Sequence, residues 1–160
     1  MSLEITPIDA ARTDAFGAVW IPWLRDTMGR TPEPEDLEVM ADPGAYYRAT
    51  GGEAFLASID GEVVGVVAVK GLGVSGFEFC KLVVGEAARG HGAGRALVET
   101  CLRFAAERGG PALYLQSFKA LDVALDLYRR MGFRDAAPPP GMTILSRTEV
   151  IMSREANTVP

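Results

Sequence analysis

Short apolar stretches bounded by polar turns dominate the middle of the chain. The segments "EAFLASI" (53–59) and "EVVGVVAV" (62–69) are joined by Asp60-Gly61, a dipeptide favoured in tight hairpins. A third stretch, "GFEFCKLVV" (76–84), follows after a short link, and "LEITPID" (3–9) alternates enough to be a first strand. Because short links join the three central segments, these strands are predicted to be antiparallel.

Apolar residues at helical spacing predict four helices, at residues 13–28, 34–41, 93–108 and 120–133. Pro22 is expected to kink or divide the first helix, Pro34 lies near the start of the second, and Gly132 ends the fourth. The third helix is predicted from the helical spacing of the apolar residues Leu97, Val98, Cys101, Leu102 and Ala105.

Two more strands are predicted near the C-terminus, "ALYLQSF" (112–118) and "TEVIMSRE" (148–155), with "APPPG" (137–141) as a loop. The strand–helix–strand step through residues 93–108 predicts one parallel pair. We therefore expect a single domain over residues 1–160, with an ordered core at about 3–155 and a frayed end. The fold class is α/β, with a mixed, mostly antiparallel central sheet and helices on both faces.

Charge limits the partners that this chain is expected to bind. The 160 residues are 48% hydrophobic and 23% charged, and the formal net charge is −5. This acidity argues against general binding to nucleic acid and is compatible with a cationic partner such as an amine. The single histidine, His91, makes a histidine-rich metal site unexpected.

Location is inferred from what the sequence lacks and from its cysteines. No apolar run approaches the ~20 residues that span a bilayer, and "MSLEITPIDA" lacks the pattern of a signal peptide. Cys80 and Cys101 lie inside apolar segments, so two buried thiols are expected. These features predict a cytoplasmic protein without a membrane partner.

The most informative stretch is "LVVGEAARGHGAGRAL" (82–97), in which an apolar strand passes into a helix through Gly90, Gly92 and Gly94. A helix N-terminus exposes unpaired N–H groups, glycines let an anion approach them, and Arg89 adds a bidentate donor. This arrangement is typical of phosphate binding. The spacing excludes a P-loop, and the preceding antiparallel run disfavours a dinucleotide-binding fold. The glycines alone leave a simple tight turn open as an alternative.

Together with its surroundings, "RGHGAG" resembles the GNAT superfamily of N-acetyltransferases. The resemblance is carried by "EFCKLVV" before the glycines, "LYRRMGF" after the next helix and strand, and "GGEAFLASIDGEVVGVVAV" upstream. It covers the chain from about Leu3 to Glu155. It implies an acyl-CoA N-acyltransferase fold whose central strands splay into a V-shaped cleft, with acetyl-CoA as co-substrate and no metal. It also implies direct attack of an amine on the thioester.

The resemblance implies two groups of cofactor-binding residues. The turn is expected to hold the pyrophosphate through the main chain of Arg89, Gly90, His91, Gly92, Ala93, Gly94 and Arg95. The pantetheine arm is expected to pair with the main chain of Leu82, Val83 and Val84, as an added strand does. The His91 side chain is expected to be solvated, and that of Arg95 either contacts phosphate or is solvated.

Glu78 is the candidate catalytic base, because an alkyl ammonium with a pKa of roughly 10.4 must lose a proton before it attacks. It lies in an otherwise apolar strand, and alternation places it on one face with Leu82 and Val84. Some matching family members use a glutamate here, often through a water. The alternative is a structural or exposed glutamate with Lys81 as a local charge partner.

Tyr128 is the candidate catalytic acid, since the resemblance matches it to the family's tyrosine in "LYRRMGF", often proposed to protonate the departing thiolate. Leu121, Ala124, Leu125 and Tyr128 also fall at helical spacing on one face. Packing is therefore the alternative, and a tyrosine is able to do both.

One position departs from the family pattern, and the acceptor is open. Many relatives carry an asparagine after the fifth strand, where Phe118 stands here, and Ser117 is a partial substitute. The acceptor is expected to be a small-molecule amine or a protein amino group. Its candidate walls are Trp20, Trp23, Met28, Tyr46 and Tyr47, most of them also core candidates. A non-catalytic acyl-CoA-binding or sensing module is the alternative function, and a homodimer is left open.

Overall fold

The computed structural model describes residues 2–156, which form one seven-stranded sheet with helices on both faces. The strands are β1 (Leu3–Pro7), β2 (Glu53–Ile59), β3 (Glu62–Gly71), β4 (Phe77–Val84), β5 (Ala112–Ser117), β6 (Arg134–Asp135) and β7 (Val150–Glu155). The α-helices are α1 (Thr13–Pro22), α2 (Pro34–Ala41), α3 (Pro43–Arg48), α4 (Ala93–Glu107) and α5 (Asp122–Arg130). Of the predicted frayed end, residues 157–160 lie outside the described residues.

The strand order across the sheet is β1-β2-β3-β4-β5-β7-β6. All neighbours are antiparallel except β4 and β5, which are parallel and are connected through α4. The hairpin between β2 and β3 turns at Asp60 and Gly61, with φ of 51° and 82°. Positive φ at both central residues is the geometry that Asp-Gly favours. The predicted mixed, mostly antiparallel sheet is confirmed.

Two hydrophobic layers cover the sheet. On one face α4 and α5 pack over β2 to β5, with Leu97, Cys101, Leu125 and Tyr128 among the buried contacts. On the other face α1, α2 and α3 contribute Phe16, Trp20, Val39 and Tyr47. Strands buried on both faces need apolar residues at successive positions, which is why β2 and β3 are continuous apolar runs rather than alternating ones.

The helices agree with the expected ones at the first helix and differ at α3. The first helix divides as predicted: α1 ends at Pro22, and Trp23–Thr27 continue as a π-helical turn. The short helix α3 was not predicted, although Asp42 caps it by accepting a hydrogen bond from the Ala45 N–H at 3.1 Å and Pro43 follows. Among the described residues no helix is long and apolar enough to cross a membrane.

Candidate active site

A cleft opens where β4 and β5 separate. The two strands pair only at Phe77 with Leu113 and at Glu78 with Tyr114, while β5 goes on pairing with β7 as far as Ser117. Within the described part of the chain, the β5-facing edge of β4 therefore has no strand partner beyond Glu78. An unpaired strand edge is a template for an extended ligand, as the resemblance implied for Leu82, Val83 and Val84.

A β-bulge in β4 decides which side chains face this cleft. Val66 pairs with Val83 but Ala68 pairs with Cys80, so β4 has one extra residue here. Lys81 lies in the bulge with a φ of 56°. An extra residue shifts the alternation by one.

The expectation that Glu78, Leu82 and Val84 share a face is therefore wrong. Leu82 and Val84 pack towards α4 and α5, together with Phe77. Cys80 packs on the face of α1 and α3, and the alternation before the bulge places Glu78 there as well.

The glycine-rich turn lies just beyond the end of β4. Gly90 and Gly92 have φ of 81° and 71°, and a Cβ at either position would meet no atom within 4 Å. The first turn of α4 packs on the end of β4, since a Cβ at Gly94 would lie 3.8 Å from Val84 Cγ2. At Gly90 and Gly92, glycine is needed for the left-handed backbone, and the space around both residues is open.

The main chain of this turn offers unpaired donors. No hydrogen bond within residues 2–156 uses the N–H groups of Gly90, Gly92, Ala93, Gly94 and Arg95. The N–H of Arg89 donates to Glu86 O and that of His91 to Ala88 O, so these two are used within the turn. The Arg95 side chain lies 3.5 Å from Glu99. Helix α4 has no acidic residue in its first turn, so its N-terminus is suited to an anion.

Two adjoining cavities in the cleft share Glu78 as a lining residue. A cavity of about 140 Å³ is lined by β4, β5 and Tyr128, and one of about 350 Å³ is lined by Tyr46, Tyr47 and the acidic start of α2. Both cavities share Glu78 and the loop before β7. Glu78 therefore lines both the space beside the unpaired strand edge and the wider cavity.

Glu78 is a buried carboxylate with one direct partner. It is 6% exposed, and Gln116 Nε2 donates a hydrogen bond to its Oε2 at 3.0 Å. Burial raises the pKa of Glu78, while Gln116 and the nearby charges of Lys70 and Lys81 oppose that rise. Its Oε1 has no hydrogen-bond partner in residues 2–156, and every fully buried side-chain oxygen there has one. That oxygen is consequently open to the cleft.

Lys81 is held by other groups. Its Nζ lies 3.5 Å from Asp36 Oδ1 and 4.4 Å from the centre of the Trp20 ring. The pair with Asp36 is largely buried. Asp36 is therefore the ion-pair partner of Lys81. Glu78 makes no ion pair with Lys81 but is influenced by its nearby positive charge.

Tyr128 combines packing with an open hydroxyl. Its ring packs edge-on against Phe79, with centroids 5.4 Å apart, and against Phe133 at 6.2 Å. Burial raises the pKa of Tyr128 well above its usual value. The hydroxyl has no hydrogen-bond partner among the described residues and lines the smaller cavity. Both roles weighed for this tyrosine, packing and proton donation, fit this geometry.

Sequence reasoning missed Gln116 and the loop before β7. The Gln116 amide bonds Glu78 on one side and the loop from Thr143 to Thr148 on the other. This loop lines both cavities. The available signal was a long polar side chain, Gln116, in the mostly apolar stretch "ALYLQSF", the same kind of signal that singled out Glu78.

The candidate acceptor walls divide between the two cavities. Trp20 and Trp23 line the smaller one, Tyr46 and Tyr47 line the wider one, and Met28 packs against the core instead. Trp20 and Tyr47 are also core residues, each 2% exposed. Ser117 and Phe118 line the smaller cavity as well.

The two cysteines are free thiols. Cys101 is a buried residue of α4, and Cys80 lies partly buried in the cleft, where its Sγ is 3.6 Å from the Tyr47 hydroxyl. Burial raises the pKa of the Cys80 thiol to about 11. Within residues 2–156, no three His, Cys, Asp or Glu side chains converge as a metal site.

Solved structures share this fold over nearly their whole length. An acetyltransferase of the GNAT family from Staphylococcus aureus Mu50 covers 97% of this chain and 99% of its own, with a TM-score of 0.87 and 16% identity. A putative acetyltransferase from Salmonella typhimurium, solved with acetyl-CoA, covers 98% and 95%, with a TM-score of 0.75 and 18% identity. The PaiA N-acetyltransferase of Thermoplasma acidophilum, solved with coenzyme A, covers 97% and 99%, with a TM-score of 0.72 and 14% identity.

The fold is thus one found in acetyltransferases, and the sequence agrees. Residues 18–133 match the model of the Acetyltransferase (GNAT) family, and this chain belongs to that family. No curated protein sequence matches the chain. The family resemblance stated from "RGHGAG" and "LYRRMGF" is confirmed.

Proposed function

We propose that this protein is an acetyl-CoA-dependent N-acetyltransferase in which a primary amine attacks the thioester directly. The observation that carries the proposal is one cleft with three features: a strand edge that no strand of residues 2–156 pairs with, a buried carboxylate with an open oxygen, and a phenol hydroxyl with no hydrogen-bond partner among the same residues. The glycine-rich turn with its unpaired N–H groups follows at the end of the same strand. Membership of the acetyltransferase family supports the same reaction class.

The turn fits the phosphates of acetyl-CoA. A phosphate needs converging donors and room to approach, and the main chain from Gly90 to Arg95 provides five N–H groups beside open space. The edge of β4 from Leu82 to Val84 would hold the amides of the pantetheine arm. Acetyl-CoA would supply the activated acetyl group as a thioester, and the remaining work falls to side chains of this chain.

Glu78 acts as the base in this proposal. Its open Oε1 accepts a proton from the ammonium of the acceptor, directly or through a water. Because burial raises the pKa of Glu78, that pKa lies closer to the pKa of the acceptor ammonium, and this favours transfer of the proton. The wider cavity is lined by four carboxylates, Glu33, Glu35, Asp36 and Glu78, and by three cations, Lys70, Lys81 and Arg147, so its lining has a small excess of negative charge that favours a cation.

Tyr128 acts as the acid in this proposal. A tyrosine is protonated at neutral pH even at its ordinary pKa of about 10, and burial raises the pKa of Tyr128 further. The hydroxyl therefore donates a hydrogen bond to the sulfur as the thiolate leaves, and the thiolate, with a generic pKa of about 8.5, takes its proton from this hydroxyl or from water. The acceptor is a small-molecule amine or a protein amino group.

The reaction is tested by release of the free CoA thiol in a screen of amines. Release that depends on both acetyl-CoA and one amine supports the proposal. Binding of acetyl-CoA without release for any amine would support the alternative of an acyl-CoA-binding module. A cytoplasmic location, a homodimer and the absence of nucleic-acid or membrane partners stay predictions.

Cofactor binding is tested with a matched pair of glycine variants, Gly92→Val and Gly109→Val. The two glycines lie at opposite ends of α4, with φ of 71° and 72° and open space around each. Both substitutions should cost about 1–2 kcal/mol of stability from the left-handed backbone. Only Gly92→Val should weaken acetyl-CoA binding, by about ten-fold or more, measured by calorimetric titration.

Saturating acetyl-CoA at 100 times its Kd should stabilise the wild type by about 2.7 kcal/mol. For a chain of this size that is roughly 5–10 °C in melting temperature. Normal affinity in Gly92→Val, with the expected loss of stability, would mean that the glycines serve only the turn.

A further inference from the structure

Gln116 is the most highly connected side chain of the cleft. Its Nε2 donates to Glu78 Oε2 at 3.0 Å and to Thr143 O at 2.9 Å. Its Oε1 accepts from the Leu145 N–H at 3.1 Å and from Thr148 Oγ1 at 2.6 Å. An amide has two N–H donors and one oxygen with two lone pairs, so this side chain is saturated.

These partners leave the amide one orientation. Thr143 O and a carboxylate are acceptors, whereas the Leu145 N–H is a donor only. A rotation of the amide by 180° would place donor against donor and acceptor against acceptor. The N–H side therefore faces Glu78, where it favours the ionised carboxylate.

The same amide joins three separate parts of the chain. Glu78 belongs to β4, Gln116 to β5, and the loop 143–148 precedes β7 and lines both cavities. The strands β4 and β5 no longer pair beyond Glu78, so side chains must bridge the opening. Gln116 provides that bridge directly at the carboxylate.

We propose that Gln116 is a positioning residue, which holds the Glu78 carboxylate with Oε1 towards the acceptor and fixes the loop 143–148 as a wall of the acceptor site. The catalytic role of Gln116 in this proposal rests on the proposed function. The hydrogen bonds themselves do not, so they can be tested on the free protein. The consequence is that loop order and base ionisation are coupled through one side chain.

Other charged and titratable groups also surround Glu78 and stay unchanged in the test. They are Lys70 from β3, Cys80 and Lys81 from β4, Tyr47 from α3, Tyr128 from α5, Arg147 from the loop, and Glu33, Glu35 and Asp36 from the start of α2. Because none of these residues is substituted, a changed Glu78 titration reports the loss of the Gln116 amide, which includes the release of the loop that carries Arg147.

The test compares Gln116→Met with Thr148→Val. The first keeps the length of the side chain and removes both donors, whereas the second removes one bond to Oε1 and leaves the bond to Glu78. Carbon-13 NMR of the carboxyl groups, with Glu78→Gln to assign the signal, follows the titration of Glu78. We expect Gln116→Met to move that titration to higher pH and to speed exchange of the Leu145 amide hydrogen.

Thr148→Val should leave the Glu78 titration in place. An unchanged titration in Gln116→Met, or an equal shift in Thr148→Val, would overturn the proposal. If Gln116→Met does not fold, Gln116→Asn keeps the amide but shortens its reach, and the same titration shift is expected.

Kinetics add a readout that a purely structural role would not give. In Gln116→Met, kcat/KM at neutral pH should fall about ten-fold, the order expected when a hydrogen bond to a charged group is lost. The deficit should shrink as pH rises, because Glu78 then ionises without help. A deficit independent of pH would contradict the coupling. If no amine releases CoA thiol, the proposed function fails while the NMR titration still decides the role of Gln116.

Discussion

Replacing Tyr128 with phenylalanine separates the packing of this residue from its proposed chemistry. The ring lies against Phe79 and Phe133, and Tyr128→Phe keeps both contacts. The hydroxyl makes no hydrogen bond to residues 2–156, so its removal leaves no partner unsatisfied. The free energy of unfolding should therefore stay within about 0.5 kcal/mol of the wild type.

Turnover should respond differently. General acid catalysis is typically worth ~10²–10⁴-fold, and less is expected here because a thiolate leaves readily near neutral pH. We therefore expect kcat to fall about ten-fold or more, a rise of about 1.4 kcal/mol in the activation barrier. Affinity for acetyl-CoA should change little, because the proposed phosphate contacts lie in the turn from Arg89 to Gly94.

Denaturant unfolding, calorimetric titration and steady-state kinetics measure these three quantities. Tyr114→Phe is the matched control, since Tyr114 lies on β5 and lines neither cavity. Tyr128→Ala is the packing control and should lose roughly 3–5 kcal/mol of stability. Unchanged turnover in Tyr128→Phe would remove the hydroxyl from the mechanism. Equal losses of stability and affinity would show that the hydroxyl is structural instead.

Two further predictions concern stability. Burial raises the folded-state pKa of Glu78 above its ordinary value of 4.5, so ionisation costs folding energy. Glu78→Gln should raise the melting temperature at pH 7 to 8 while abolishing turnover, and this gain should shrink as pH falls through the raised pKa and vanish below 4.5. A gain in the melting temperature of Glu78→Gln that does not change with pH would contradict a raised pKa of Glu78. Gly76→Ala should lose roughly 3 kcal/mol or more in denaturant unfolding, because φ is 109° and a Cβ would lie 2.3 Å from Ala112 O. Gly73→Ala, with φ of 66° and open space, should lose only about 1–2 kcal/mol, and equal losses would refute the steric argument.

The sequence by itself determined the features that depend on near neighbours in the chain. The Asp60-Gly61 hairpin follows from local backbone preference, and both residues adopt positive φ. The helix after the glycines follows from spacing, and its apolar positions, including Leu97 and Cys101, are buried. The family was inferred from several motifs, including "RGHGAG" and "LYRRMGF", in a fixed order along the chain. Motif order can be read directly from the sequence.

Only the tertiary structure decided how the side chains of the cleft are arranged. Strict alternation put Glu78, Leu82 and Val84 on one face, but the bulge at Lys81 adds a residue and turns the later two to the other face. A bulge adds one residue to one strand of a twisted pair, so its position depends on how β3 and β4 pair with each other. The sequence of β4 alone does not contain that information.

The environment of Glu78 is likewise a long-range property. Its partner Gln116 is 38 residues away in sequence, and the loop held by the same amide is more distant still. Neither the direction of the Glu78 pKa shift nor the bridge across the splayed strands is contained in a local pattern. Both depend on which groups are brought together when water is excluded from the cleft, and that is settled by packing rather than by spacing along the chain.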